Sequence, residues 1–210
     1  MKEPLKPFGK SFHGKESLGK ITLKKIWHFI WYEDSLASWI VNVILAFLIV
    51  KFIFYPAIGF LLNTGYPIVA VVSGSMEHDN NFDSWWGSQK GFYSSYNITK
   101  EEFSGFSFAN GFNKGDIMIV IGKKPENINI GDVIVFRGNL PDPIIHRIIK
   151  KQSDNGYYFQ TKGDHNPDSR ADEKMIEENR IIGKAVLRIP FLGWIKILAV
   201  DLINMARGAF

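Results

Sequence analysis

Between residues 39 and 62 the chain reads WIVNVILAFLIVKFIFYPAIGFLL, 24 residues in which Asn42 and Lys51 are the only strongly polar positions. About 20 apolar residues cross a hydrocarbon core of roughly 30 Å, so this run predicts a membrane-spanning helix. A lysine near mid-membrane costs about 2.5–3.5 kcal/mol. Lys51 avoids that by reaching toward an interface, or the span shifts to residues 36–55. Pro56 and Gly59 then mark an end or a kink. Residues 21–32 mix apolar and aromatic side chains with Lys24, Lys25 and His28, and read as an interfacial helix.

Beyond the span the pattern changes to short apolar runs between turn residues. Residues 67–72, 116–121, 131–136, 144–149, 156–161 and 183–189 read as strands. Two of them open on Gly-Asp pairs, Gly115-Asp116 and Gly131-Asp132, followed by β-branched residues. Residues 150–155 form a polar turn. Several short strands at this spacing predict a mainly β domain, a barrel or a sandwich. Residues 77–113 differ: aromatic residues from Trp85 to Phe112 alternate with polar residues and glycines at no clear period. They read as an insertion, helical around 99–104, that either forms a peripheral subdomain or lies over the site or the membrane. Residues 194–205 are apolar apart from Lys196 and Asp201 and too short to span. They lie along the membrane or pack on the domain. The expected organisation is a basic tail over 1–35, an anchor over 36–62, a β-rich domain over 63–195 and a C-terminal apolar segment over 196–210.

Composition narrows the chemistry. A length of 210 residues accommodates one span and one domain of roughly 130–150 residues. The absence of cysteine excludes disulfides, thiolate catalysis and cysteine-based zinc sites. Of the five histidines, no two form a His-Glu-x-x-His pair, so no metal or other cofactor is expected. Residues 1–25 carry seven lysines against Glu3 and Glu16. Such a segment stays cytoplasmic, which puts the β domain on the outer side of the cell membrane on a single-pass anchor. The apolar run is too long, and too far into the chain, for a cleaved signal peptide. No nucleic-acid motif accompanies the basic tail.

Ser75 lies in Val72-Ser73-Gly74-Ser75-Met76, just past the span and the first strand. Gly74 permits a tight bend, and a serine there becomes a nucleophile once a base takes its proton. The Ser75 amide and the Ser73 hydroxyl are candidate donors to an oxyanion. His146, in a run of isoleucines, shares a strand face with Ile144 and Ile148; a lone histidine there is more often a core residue than a base. Asp164, Asp168 and Asp172 lie in KGDHNPDSRAD, and one of them is expected to accept the His146 ring N–H. A calcium loop is the other chemistry for such a segment, but the spacing and the missing bidentate glutamate do not match an EF-hand.

Ser73-Gly74-Ser75-Met76, Gly131-Asp132-Val133-Ile134-Val135-Phe136, Ile145-His146-Arg147 and Thr161-Lys162-Gly163-Asp164, in this order after an anchor, resemble the type I signal peptidases of the archaeal and endoplasmic-reticulum kind. The resemblance covers most of residues 40–195. It implies a serine endopeptidase with a mostly β core that removes signal peptides from secretory and membrane preproteins. It places the nucleophile on Ser75, the base on His146 and a first carboxylate on Asp164. Where the family has Asn-Asn, this chain has His165-Asn166. Where a second aspartate is expected, it has Arg170, flanked by Asp168 and Asp172. Membrane lipid and the translocation channel are the expected partners, with no nucleic acid. Two other readings remain: a non-catalytic bitopic scaffold that binds through the aromatic insertion, and a self-cleaving regulatory protease.

Overall fold

The computed structural model describes residues 18–139 and 141–208. Residues 1–17 of the basic tail, His13 among them, lie outside the described residues. Two compact units follow each other, dividing at Phe54 and Tyr55.

The first unit holds helices α1 (Leu18–Tyr32) and α2 (Leu36–Ile49). Ser35 caps α2, its hydroxyl accepting from the Ser38 amide at 3.2 Å. The last carbonyls of α1, which have no intrahelical donor, are satisfied from α2. Ser38 Oγ donates to Phe29 O at 2.6 Å and Asn42 Nδ2 to Ile30 O at 2.9 Å. Asn42, a polar intrusion in the apolar run, is thereby accounted for. A π-helical turn, Val50–Phe54, follows α2. The Lys51 Nζ lies over the rings of Phe47 and Phe52, 5.8 and 5.4 Å from their centroids, a cation–π arrangement.

Leu36–Leu61, 26 residues, is the one described helix long and apolar enough to cross a membrane. Of the end or kink expected at Pro56 and Gly59, the end does not occur, in line with an anchor over 36–62: α3 (Tyr55–Leu61) carries Pro56 as its second residue. A proline ring inside a helix clashes with the carbonyl four residues back. The π turn just before it widens the backbone there, which absorbs the proline without ending the helix.

The second unit is built on one curled antiparallel sheet. Its strands are β1 (Ile68–Ala70), β2 (Ile117–Ile121), β3 (Val133–Phe136), β4 (Ile144–Ser153), β5 (Tyr157–Lys162), β6 (Ile176–Glu177) and β7 (Ile181–Ile189). Their order is β1-β2-β7-β3-β4-β5-β6, so β1 and β6 are edges. The expected mainly β architecture is therefore present as a single sheet. Register shifts at Ile119/Val120, Val135/Phe136 and Ile148/Lys150 supply bulges, which sharpen the curl. β4 runs on through the polar residues expected to turn, because the tight turn falls at Asn155 and Gly156, both with positive φ.

Alternation along the strands divides the core. Ile134, Phe136, Ile144, Ile148 and Phe159 pack in one cluster, while Val71, Met76, Phe112, Met118, Val133 and Ala185 form another. The insertion adds α4 (Phe82–Ser95) and α5 (Lys100–Ser104). α5 starts on a capping box of Thr99 and Glu102. α4 contains Gly87 and Gly91, which weaken a helix, and it is held by packing. Trp85, Trp86, Tyr93 and Phe103 are buried together against Ile149 of β4. These aromatic residues make the centre of a subdomain, not an exposed partner surface. The last helix, α6 (Trp194–Gly208), buries Ile197 and leaves Ile195, Leu198, Leu202 and Met205 exposed.

Candidate active site

Ser75 follows the edge strand β1. Its segment is pinned from both sides: Val71 exchanges backbone bonds with Asp116 and Gly115, the Phe112 amide donates to Met76 O at 3.0 Å, and the Glu77 amide closes a turn on Gly74 O at 3.0 Å. The His165 amide donates to Ser75 O at 2.9 Å. Gly163 lets the two segments come this close. A Cβ there would stand 2.7 Å from Ser75 O and 2.8 Å from His146 Nε2.

His146, buried on β4, meets the serine from the opposite side. Its Nε2 is 2.9 Å from Ser75 Oγ, and its Nδ1 is 2.7 Å from Glu173 Oε2. Glu173 ends a 3-10 turn, Ala171–Glu173, and is fully buried. Thr161 Oγ1 donates to the same oxygen at 3.1 Å, and Arg170 Nε lies 3.8 Å from Oε1. With the imidazole proton on Nδ1, directed at the carboxylate, Nε2 is left to accept from the hydroxyl. Ser73 Oγ sits 3.2 Å from Ser75 Oγ. This is the arrangement of an activated serine: a hydroxyl, a base within reach and a carboxylate that orients the base.

The carboxylate differs from expectation. Asp164, Asp168 and Asp172 do not reach the imidazole; among the described residues its ring nitrogens bond to Ser75 and Glu173. Asp168 accepts from the Ser169 amide and lies 3.6 Å from Lys174 at the surface. Asp172 accepts from the Asn139 amide at 3.1 Å and pairs with Arg170 at 3.2 Å. Partial burial pushes the Asp172 carboxyl up, but the Asn139 amide and Arg170 outweigh it and hold the carboxyl below its ordinary value. The 3-10 turn points Asp172 toward Asn139 and Arg170 and its neighbour Glu173 inward. Glu173 stands one residue past Asp172 in the sequence, and the resemblance points to aspartates alone.

Asp164 is spent on a separate buried network. Arg147 Nε and Nη2 donate to its two oxygens at 2.9 and 2.7 Å, Tyr93 OH donates to Oδ1 at 2.9 Å, and His78 Nε2 lies 3.0 Å from Oδ2. Trp85 Nε1 and Lys162 Nζ donate to its carbonyl at 3.2 and 3.1 Å. Burial alone would raise the Asp164 carboxyl; Arg147 and the hydrogen bonds override it and hold it far below the usual carboxylate range. Burial lowers Arg147, and Asp164 more than restores it. Burial and then the Asp164 charge push the Tyr93 phenol well up. Arg147 also donates to Ser107 O, Phe108 O and Gly131 O and lies over the Phe103 ring at 4.6 Å. Lys162 sits over Phe92 and Tyr93, and burial lowers its ammonium to about 8, against the pull of Asp164. The insertion is thus locked to the segment that backs Ser75.

An open groove of about 690 Å³ runs past the serine, lined by residues 69–73, 142–146 and 166–170 with Ser75 and His146 at its wall. One side is β1, an edge strand.

The class this arrangement suggests is that of the serine hydrolases, and the relatives of the chain are more specific. No protein-family model matches it. It is similar to the signal peptidase complex catalytic subunit SEC11C of Homo sapiens, 33% identical over 98 residues, 43% of this chain and 51% of the relative. The subunit SEC11 of Yarrowia lipolytica is 22% identical over 159 residues, 72% of this chain and 73% of the relative. That of Komagataella phaffii is 23% identical over 163 residues, 71% and 76%. The chain spans about half the length of the relatives it matches at 33% identity. The chain is thus similar in sequence to signal peptidase catalytic subunits, the kind its motifs resemble.

Proposed function

We propose that this chain is a membrane-anchored serine endopeptidase that cleaves signal peptides from preproteins. The Ser75–His146–Glu173 relay, opening on a groove beside an edge strand, carries this reading, and the similarity to signal peptidase subunits supports it.

Ser75 Oγ attacks the carbonyl carbon before the cut as its proton passes to His146 Nε2. Glu173 holds the ring and stabilises the imidazolium. The Ser75 amide and the Ser73 hydroxyl stabilise the oxyanion. The C–N bond then breaks, and the leaving amine takes the proton from His146. Water, activated by the same imidazole, hydrolyses the acyl-enzyme and frees Ser75. The free edge of β1 offers backbone partners to an extended substrate. Small residues before the cut, often Ala-x-Ala, fit shallow pockets there.

The lysines of residues 1–25 argue for a cytoplasmic N-terminus and a catalytic domain on the outer side of the cell membrane. Helix α1, with Trp27 and Trp31 exposed, suits the membrane interface, and the exposed apolar face of α6 suits contact with lipid. Anchoring enzyme and substrate in one bilayer raises their effective concentration, and the translocation channel delivers such substrates.

Incubation of the membrane-embedded chain with a precursor bearing an Ala-x-Ala site, followed by N-terminal sequencing of the product, tests the proposal. The expected product starts immediately after the second alanine. Cleavage confined to the chain itself favours the self-cleaving alternative, and an unchanged precursor sinks the reading.

A further inference from the structure

A second, smaller pocket of about 250 Å³ lies beside the loop that follows the apolar helix. Asn63, Thr64 and Tyr66 line it on one side, and Arg137, Asn179 and Arg180 on the other; no carboxylate lines it. The two arginines are held together by two hydrogen bonds, one between main chains and one from the Arg180 side chain. The Arg137 amide donates to Arg180 O at 2.9 Å, and Arg180 Nε donates to Arg137 O at 2.8 Å. Neither guanidinium has a carboxylate partner among the described residues. The Nη2 of Arg180 is buried and has no hydrogen-bond partner among them.

Two like charges lining one pocket repel, and a buried donor without an acceptor is costly. One group relieves both: an anion with several oxygens, to which a guanidinium fork donates in pairs. The position of the pocket narrows the choice. Asn63 comes two residues after Leu61, the end of the candidate span. The ends of a span lie at the headgroup layer. The loop is fixed there, with the Gly122 amide donating to Leu62 O at 2.8 Å and Thr64 Oγ1 to Ile182 O at 3.0 Å.

We propose that this pocket binds a phosphate group through Arg137 and Arg180, the group being carried by a membrane lipid or supplied as free phosphate. A lipid phosphate docked there would fix the depth of the domain against the bilayer surface.

Native mass spectrometry of the full chain in an uncharged detergent tests this with three probes: dihexanoyl phosphatidylglycerol, dihexanoylglycerol without the phosphate, and inorganic phosphate. The wild type is expected to bind the phospholipid at least ten-fold more tightly than dihexanoylglycerol. Arg137→Gln with Arg180→Gln removes that difference. Arg180→Lys, which keeps the charge and loses the fork, weakens phospholipid binding several-fold and guards against a double variant that fails to fold. Lys90→Gln, an exposed cation outside the pocket, leaves it unchanged. Displacement of the phospholipid by millimolar inorganic phosphate identifies free phosphate as a sufficient ligand; resistance to displacement identifies the lipid. Equal phospholipid binding by wild type, the double variant and Arg180→Lys overturns the proposal, as does failure of the wild type to bind either phosphate probe.

Discussion

The imidazole of His146 holds Glu173 at 2.7 Å through Nδ1, so its other nitrogen faces Ser75 with a free lone pair. Glu173→Gln keeps the size of that side chain and removes its charge. The amide no longer enforces the tautomer or stabilises the imidazolium, so kcat should fall roughly 10²–10⁴-fold with little change in KM. Glu173→Asp should recover part of the loss. Steady-state cleavage of a precursor peptide measures both, and a Glu173→Gln enzyme of wild-type rate would remove Glu173 from the relay.

Ser75→Ala and His146→Ala should each abolish precursor processing in membranes while the protein stays folded. The double variant should be no slower than either single one, because the two groups act as a unit. Processing assays alongside thermal unfolding separate this from misfolding, and a single variant that cleaves at the wild-type rate would refute the pair.

Asp164 is expected to behave as a structural residue. Asp164→Asn leaves the buried Arg147 guanidinium without its counter-charge, a change that costs on the order of 3–5 kcal/mol. Chemical unfolding should show a large drop in midpoint. The native Asp164 carboxyl lies below its ordinary value of 3.8, so the unfolded chain takes up a proton first as the medium is acidified. Its stabilisation is complete above that ordinary value and is lost progressively as the pH falls toward the depressed one. The Asp164→Asn variant should lack this part of the acid transition.

Lys162 gives a slope of the same sign at alkaline pH. In the folded chain its ammonium loses its proton at about 8, against 10.5 ordinarily. Between those values the unfolded chain binds more protons, so stability should rise with pH across that window. Lys162→Met should flatten the rise. Denaturation midpoints recorded at intervals from pH 7 to 11 would reveal it, and an unchanged slope in the variant would contradict it.

The apolar span, the strand cores and the Ser75–His146 pair were legible because each follows from short-range pattern or from short motifs. β1, β2, β3, β5 and β7 fall within two residues of the apolar runs that suggested them. Three features were not legible. Helix α4 has no clean period, because only Trp85, Trp86 and Tyr93 face inward and two glycines interrupt it; its helicity is imposed by partners in β4. The π turn that carries the helix past Pro56 is announced by no residue pattern. The exchange of Glu173 for an aspartate depends on which way one 3-10 turn rotates, and Asp172 and Glu173 are equally plausible on paper. The expectation for Asp164 failed because Arg147, adjacent to the base, captures it from the other face of β4.

The relay draws its three members from before the second strand, from the fourth, and from the turn after the fifth. A ribosome must therefore deliver Glu173, nearly a hundred residues after the nucleophile, before the base is oriented. Domains generally fold as units as they emerge, so under the proposed function a chain that still lacks Glu173 carries an inert serine.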